Sequence, residues 1–327
     1  MTVESLRSPT VEGVARAAAK IAVLLPRTPL LPLELPNGAT VWCKAESLQP
    51  IGAFKIRGAW HRLTDLSDDE RRRGVVGVSS GNHAQGVAWA ARRLGIPATI
   101  VMPNDAPLVK LASTRALGAE VVIYDRPGGV DRDAVAQRLV SERGMVLVHA
   151  YGDPWVIEGQ GSMGLEIADQ MAERAGGPPT RIVACCGGGG LTAGLALACP
   201  DAEIVPVEPE GWDDVCRSLV AGEIQRIDLA NAPPTACDAL QTPSTRPINF
   251  AILKARCAYG VAVSPAEVRA AQRYAFAKLR LVLEPGGAAA LAAVLAGKVP
   301  TDGRTAVTLT GGNVDASAFA QVLASTA

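Results

Sequence analysis

Short apolar runs alternate with longer amphipathic stretches along most of the 327-residue chain. "VVGV" leads into "SSGNHAQGVAWAARRLG", "ATIVMP" into "NDAPLVKLASTRALG" and "EVVIYD" into "RPGGVDRDAVAQRLVSERG". Further on, "RIVACC" leads into "GGGGLTAGLALA" and "EIVPVEPEG" into "WDDVCRSLVAG". The runs have the length of buried parallel strands, and the stretches behind them repeat apolar residues at helical spacing. The alternation predicts an α/β fold of parallel sheets joined by right-handed crossovers. A chain this long is expected to hold two sheets rather than one. "ADQMAERAGGPPTR", Ala168 to Arg181, reads as a helix end plus a connector, and "NAPPTACDALQTPSTRPINF" as a loop-rich zone.

Composition removes several classes of function. Lys+Arg and Asp+Glu balance at 32 each, and aromatics make up 4%. Nucleic acid and an anionic membrane surface are therefore not expected partners. The opening "MTVESLRSPTVEGVARAAAK" lacks a basic start followed by an apolar run, and no apolar stretch reaches membrane-spanning length. Seven cysteines without a CxxC pair indicate neither a zinc site nor a disulfide framework. A reducing cytoplasm is the expected location.

In parallel α/β sheets ligands bind beyond the carboxyl ends of the strands, so the loops there are the places to search. "CCGGGGLTAG" puts Gly187, Gly188, Gly189 and Gly190 between a strand and a helix. Such a loop can aim several N–H groups inward at a helix N-terminus, which makes a phosphate cradle. A merely flexible turn would spend chain entropy on four glycines without return. No GK[ST] follows, so this is not a Walker loop. Glu208 lies near the spacing of a ribose-binding acid, which keeps a nucleotide open.

Three further loops carry polar groups. "SSGNHAQG" offers Ser79, Ser80, Gly81 and Asn82 at a helix start, suited to a carboxylate or an aromatic hydroxyl; His83 alone reads as a structural histidine. "VTLTGGNVD" ends a strand in Thr310, which could donate to a ring nitrogen or close an ordinary turn. "VEPEGWDD" crowds Glu208, Glu210, Asp213 and Asp214 into one loop. Such oxygens suit Mg2+ or Ca2+, or an acidic turn that caps the next helix.

Lys55, in "LQPIGAFKIRGAW", sits between Phe54 and Ile56 just past a glycine. Lysines mostly occupy solvated faces. Either its stem lies harmlessly along apolar surface, or its amine is held in a site. A buried amine together with a phosphate cradle is what a pyridoxal phosphate enzyme needs.

The ordered strings "GAFKIRGA", "SSGNHAQG", "CGGGGLTAG", "LEPGGAAALAA" and "TGGNVD" resemble fold-type II pyridoxal phosphate enzymes of the tryptophan synthase β-like kind. Within that group they are similar to the threonine/serine dehydratases (ammonia-lyases) and serine racemase, from about Arg27 to Asp315. The resemblance implies two parallel-sheet α/β domains with the cofactor in the cleft. A large domain would span 1–73 and 151–327, and a small mobile domain 74–150. It implies Lys55 as the Schiff-base lysine, Phe54 beside the ring, Asn82 on the ring hydroxyl, the four glycines on the phosphate and Thr310 at the pyridine nitrogen. Ser79, Ser80, Gly81 and His83 would bind the substrate carboxylate, with Ser80 as the second catalytic group. Glu208, Asp214 and the Trp212 carbonyl would hold Mg2+ or Ca2+. A homodimer is also implied.

The implied reaction is β-elimination of water from L-threonine or L-serine, giving a 2-oxo acid and ammonia. Serine racemase is the alternative, or a dehydratase for another β-hydroxy amino acid such as 3-hydroxyaspartate or an ectoine-derived compound. A sensor that kept the fold without catalysis would not need Lys55 and the cradle. Neutral Thr310 cannot hold a proton on the ring nitrogen as a carboxylate would, which favours elimination over transamination. Ala53, Gly286 and Thr310 depart from the usual pattern, and "HAYGDPW" lacks an asparagine. The side-chain preference is thereby left open. The chain ends soon after "TGGNVD", so feedback through an added regulatory domain is not expected.

Overall fold

The computed structural model describes residues 7–325 apart from 105, 107, 126, 127 and 129. The first six residues of the opening stretch searched for a leader lie outside the described residues. The helix Val11–Ala22, which starts in that stretch, is amphipathic and is capped by the Thr10 hydroxyl, which accepts from the Gly13 N–H.

Among the described residues the strands are β1 (Leu30–Glu34), β2 (Thr40–Ala45), β3 (Val75–Val78), β4 (Ala98–Pro103), β5 (Glu120–Tyr124), β6 (Val146–Val148), β7 (Arg181–Cys185), β8 (Glu203–Pro209), β9 (Val261–Val263) and β10 (Thr305–Leu309). They form a six-stranded sheet ordered β1-β2-β10-β7-β8-β9 and a four-stranded sheet ordered β5-β4-β3-β6. Two largely parallel sheets in an α/β chain are the architecture expected from the alternating pattern. One edge differs, because β1 pairs antiparallel with β2. The link between them turns at Gly38, with φ of 81°, and is too short for a crossover helix.

The larger sheet carries the main apolar core, with Val183, Val205 and Val307 fully buried on its central strands. A second core, around Val75, Val87 and Ile100, belongs to the smaller sheet. The long helix Pro154–Arg174 packs against the helices Lys55–Thr64 and Gly190–Ala198. These approaches are almost backbone to backbone. A methyl group on Gly159 would stand 2.6 Å from Gly58 Cα, and one on Gly161 would stand 2.6 Å from the Gly194 carbonyl oxygen. One helix therefore sets the spacing between the start of the lysine helix and the start of the glycine-loop helix.

A buried ionic knot fixes the lysine helix from its other side. Arg57, fully buried, forms a fork on Glu46 with both bonds at 2.7 Å, and reaches Glu166 at 2.8 Å. Lys44 joins through Glu166 and the Thr28 carbonyl. Removing one member would leave a charge buried alone, at about 3–5 kcal/mol.

Candidate active site

A cavity of about 190 Å3 lies where the carboxyl ends of β3, β7 and β10 meet. Lys55, Ser80, Asn82, Tyr151, the glycines 187–190 and Thr310 all line it. The loops picked out in the sequence thus converge on one space, apart from the acidic one.

Lys55 opens its helix, and its Nζ donates to the Ala150 carbonyl at 2.8 Å. Burial lowers its pKa to about 8. The amine also lies 5.2 Å from the centre of the Phe54 ring. Phe54 is held by its N–H on the Thr310 carbonyl at 3.0 Å.

The glycine loop curls through Gly189, at φ 85°, and the helix begins at Gly190. The first N–H groups of a helix have no partner within it and point outward. Side chains are excluded by contact as well as by conformation. A methyl group on Gly188 would stand 2.2 Å from the Tyr151 ring, and one on Gly190 2.9 Å from Tyr151 Cα. The Thr245 hydroxyl donates to the Gly188 carbonyl at 3.1 Å.

On the opposite wall, Asn82 opens the helix Asn82–Leu94. Its amide donates to Glu284 at 2.6 Å and accepts from Asn313 at 2.8 Å. One amide hydrogen of Asn82 stays available for a ligand hydroxyl. Ser79 turns back to accept from the Gly81 N–H at 3.1 Å, while Ser80 and Gly81 face the cavity. His83 is buried and bonds the Val148 carbonyl through Nε2 at 2.8 Å. Burial first, and the Lys55 charge second, drop its pKa to about 3. The neutral ring ties the loop to β6. Thr310 Oγ1 lies 3.1 Å from Cys185 Sγ at the cavity floor.

The acidic loop lies apart from the cavity. Glu208 is fully buried and accepts from the N–H groups of Val215 at 3.1 Å and Cys216 at 2.7 Å. It caps the helix Asp214–Ala221, as the capping alternative anticipated, but from the interior. Asp214 accepts from the Thr245 N–H at 2.7 Å through Oδ2, and its Oδ1 is buried without a hydrogen-bond partner. Burial and the neighbouring Asp214 push Glu208 well above the usual carboxylate range. Trp212 donates its indole N–H to the Pro233 carbonyl at 2.8 Å. Among the described residues no three His, Cys, Asp or Glu side chains gather as a metal cluster.

Glu284, Tyr151, Thr245 and Asn313 were not singled out from the sequence. Glu284 had a readable sign: an acid just ahead of Pro285 and two glycines, opening the helix Pro285–Leu295. It proves to be 5% exposed and sits against the Thr310–Gly311 turn. No helix among the described residues is long and apolar enough to cross a membrane.

A buried amine with a lowered pKa and a glycine loop at a helix N-terminus, lining one cavity with Asn82 and Thr310, fit an aldehyde-bearing, phosphorylated ring. The fold and site together define the class of pyridoxal phosphate-dependent enzymes. Residues 21–311 match the pyridoxal-phosphate dependent enzyme family, and the chain belongs to it. An L-threo-3-hydroxyaspartate ammonia-lyase of a Pseudomonas species is 39% identical over 95% of this chain and 97% of its own. The crystal structure of a T.th. threonine deaminase superposes with a TM-score of 0.84 at 42% identity, covering 94% of this chain and 99% of that one. Maize serine racemase gives a TM-score of 0.87 at 31% identity, covering 96% and 97%. The relatives therefore include dehydratases, hydroxyaspartate ammonia-lyases and racemases.

Proposed function

We propose that this chain eliminates water from a β-hydroxy-α-amino acid such as L-threonine or L-serine, yielding a 2-oxo acid and ammonia. The observation that carries this reading is the meeting of Lys55, the glycine cradle and the Ser79–Gly81 loop on one cavity. Pyridoxal phosphate, when bound, supplies a conjugated ring that withdraws electrons from Cα of an amine joined to it. Gly187 to Gly190 and the helix N-terminus would hold its phosphate, Phe54 would support the ring and Asn82 would meet the ring hydroxyl. Thr310 would offer a neutral hydroxyl to the ring nitrogen, which unlike a carboxylate would not hold a proton there.

Ser79, Ser80, Gly81 and His83 form the wall that receives the substrate carboxylate. The amine of Lys55, largely neutral above pH 8 by its lowered pKa, takes the Cα proton. Loss of the β-hydroxyl as water then leaves an enamine, whose hydrolysis returns one water and releases ammonia. Ser80 stands as a second proton-handling group, the feature shared with racemisation. The segment Gly74 to Ala150, which holds the smaller sheet, closes over the substrate and excludes water.

The same reading places Mg2+ or Ca2+ on Glu208, Asp214 and the Trp212 carbonyl. The partnerless Oδ1 of Asp214 and the mutual repulsion of the two acids support it. A divalent charge there would steady Thr245 and, through it, Gly188.

The test is direct. Purified protein should absorb near about 410 nm, the band of a pyridoxal-lysine linkage, and Lys55→Ala should abolish both band and turnover. L-threonine and L-serine should give 2-oxo acid and ammonia in equal amounts. Inverted serine without 2-oxo acid would replace the lyase reading by a racemase.

A further inference from the structure

A second cavity, of about 680 Å3, adjoins the first, and Val78, Arg132, Ala150 and Tyr151 line both. Arg7, Arg132 and Arg246 line it, with Asp133 on the same wall. Arg7 is engaged with Glu158 at 2.5 Å. Asp133 is exposed, with an oxygen 3.8 Å from Arg132 Nε. The wall is therefore cationic where it meets the substrate loop.

Within that wall His149 is in a chemical conflict. Its Nδ1 accepts from the N–H of Gly152 at 2.8 Å and of Tyr151 at 3.3 Å. Its Nε2 stands 3.2 Å from Arg246 Nη2. A neutral imidazole has one acceptor nitrogen and one donor nitrogen, and a charged one has two donors. With Nδ1 committed as the acceptor, Nε2 carries the proton and meets a guanidinium N–H. The other tautomer moves the clash to the two backbone N–H groups. Turning the ring over would forfeit all three contacts. Burial first and Arg246 second lower the His149 pKa to about 3, so the ring is neutral at physiological pH. An oxygen anion lodged against the pair would accept from both Nε2–H and Arg246, and the conflict would end.

We infer that His149 and Arg246, with Arg132 at the shared rim, form a subsite for an anionic side chain, so the site takes a β-hydroxy-α-amino dicarboxylate. The inference rests on the lyase reading for its chemistry and adds the substrate class. Placement supports it. The carbonyl that holds Lys55 Nζ belongs to Ala150, the residue between His149 and Tyr151. The subsite thus begins one residue from the reacting amine. Tyr151 packs edge-on against the His149 ring, with centroids 4.5 Å apart, and donates its hydroxyl to the Ser244 carbonyl at 3.4 Å. That arrangement keeps the imidazole in place.

Two measurements on the cofactor-loaded enzyme test the inference. The first is kcat/KM for L-threo-3-hydroxyaspartate and for L-threonine, in wild type and in Arg246→Met and Arg246→Lys. The wild type should prefer the dicarboxylate. Arg246→Met should lower that preference roughly 10- to 100-fold, the scale of one charge-assisted hydrogen bond, and Arg246→Lys should restore part of it. Turnover of L-threonine with no preference for the dicarboxylate would overturn the subsite and leave the lyase reading standing.

The second is calorimetric binding of L-aspartate and L-2-aminobutyrate, which lack a β-hydroxyl and differ in the side-chain carboxylate. L-aspartate should bind more tightly, and Arg246→Met should remove the difference. Equal binding in the wild type would overturn the subsite even if no amino acid were turned over. Absence of turnover with every β-hydroxy substrate, alongside tight L-aspartate binding, would sink the lyase reading alone.

Discussion

The half of the cavity proposed for the cofactor is made of backbone and shape, whereas the half proposed for the substrate is made of side chains brought from distant parts of the chain. Gly187 to Gly190 act by having no side chains, and Tyr151 presses so close that none could be added at Gly188. On the other side, Arg132, His149 and Arg246 come from the start of a helix, the end of β6 and the residue ahead of the helix Pro247–Arg256. The first half serves any substrate that reacts through the ring. On the proposed reading, the second half decides which substrate reaches it. A family can therefore keep one cofactor site while its members differ in what they accept and what they make of it.

Gly188→Ala is the most severe way to test whether the halves are separable. The added methyl, 2.2 Å from the Tyr151 ring, forces ring or loop to move. If the loop yields, cofactor affinity falls by roughly 5- to 150-fold, the scale of an overpacked site losing 1–3 kcal/mol. If the ring yields, its packing on His149 goes with it, and discrimination between dicarboxylate and L-threonine falls too. Equilibrium titration of apo protein with pyridoxal phosphate, with and without Tyr151→Ala, tells these apart. Recovery of affinity in the double variant is expected. Unchanged affinity in Gly188→Ala would show that the glycine serves only loop flexibility.

The same contrast explains what could be read in advance. Strand–loop–helix units gave the α/β class, because each apolar run had the length of a buried strand. The glycine loop, Lys55 and the "TGG" turn were legible because their chemistry lies within a few neighbouring residues. β1 and β2 were not, since their apolar character is broken by Pro32, Glu34 and Lys44, and Lys44 is buried on ionic partners that lie far along the chain. The His149–Arg246 contact joins residues 97 positions apart. In the string "HAYGDPW" the sequence displays the missing asparagine, while the meaning of the histidine lies in Arg246 standing against it in the fold.

Asp214→Ala probes the cofactor half from behind and should have a smaller effect. It removes the acceptor for the Thr245 N–H, and Thr245 in turn holds the Gly188 carbonyl. Losing a buried hydrogen-bond acceptor costs about 1–3 kcal/mol, so roughly a tenfold loss of cofactor affinity and a lower Tm are expected. This chain of bonds runs through the Thr245 N–H and hydroxyl, whereas the neighbouring Arg246 meets His149 through its guanidinium. The preference for a dicarboxylate should thus survive in the fraction of enzyme that stays loaded. A thermal melt, a cofactor titration and the two-substrate comparison are enough to check it. A preference lost together with the affinity would mean that the acidic pair organises the whole cavity.

The smallest effect concerns the lysine on the boundary between the halves. Only the neutral amine attacks an aldehyde, and burial lowers the Lys55 pKa to about 8. The rate at which apo protein captures pyridoxal phosphate should then rise about fivefold from pH 7 to 8 and level off above pH 8, as the neutral fraction climbs from roughly a tenth to a half. An amine at its ordinary pKa would instead gain about tenfold per unit through pH 9. The lowering comes from burial, and no arginine of the substrate half contributes to it. The plateau should therefore stay near pH 8 in Arg246→Met, measured by stopped-flow absorbance. A plateau that moved upward in that variant would show that the cations of the substrate half also set the lysine's pKa. The two halves would then share one electrostatic field, and substrate choice could not be tuned without altering the reactivity of Lys55.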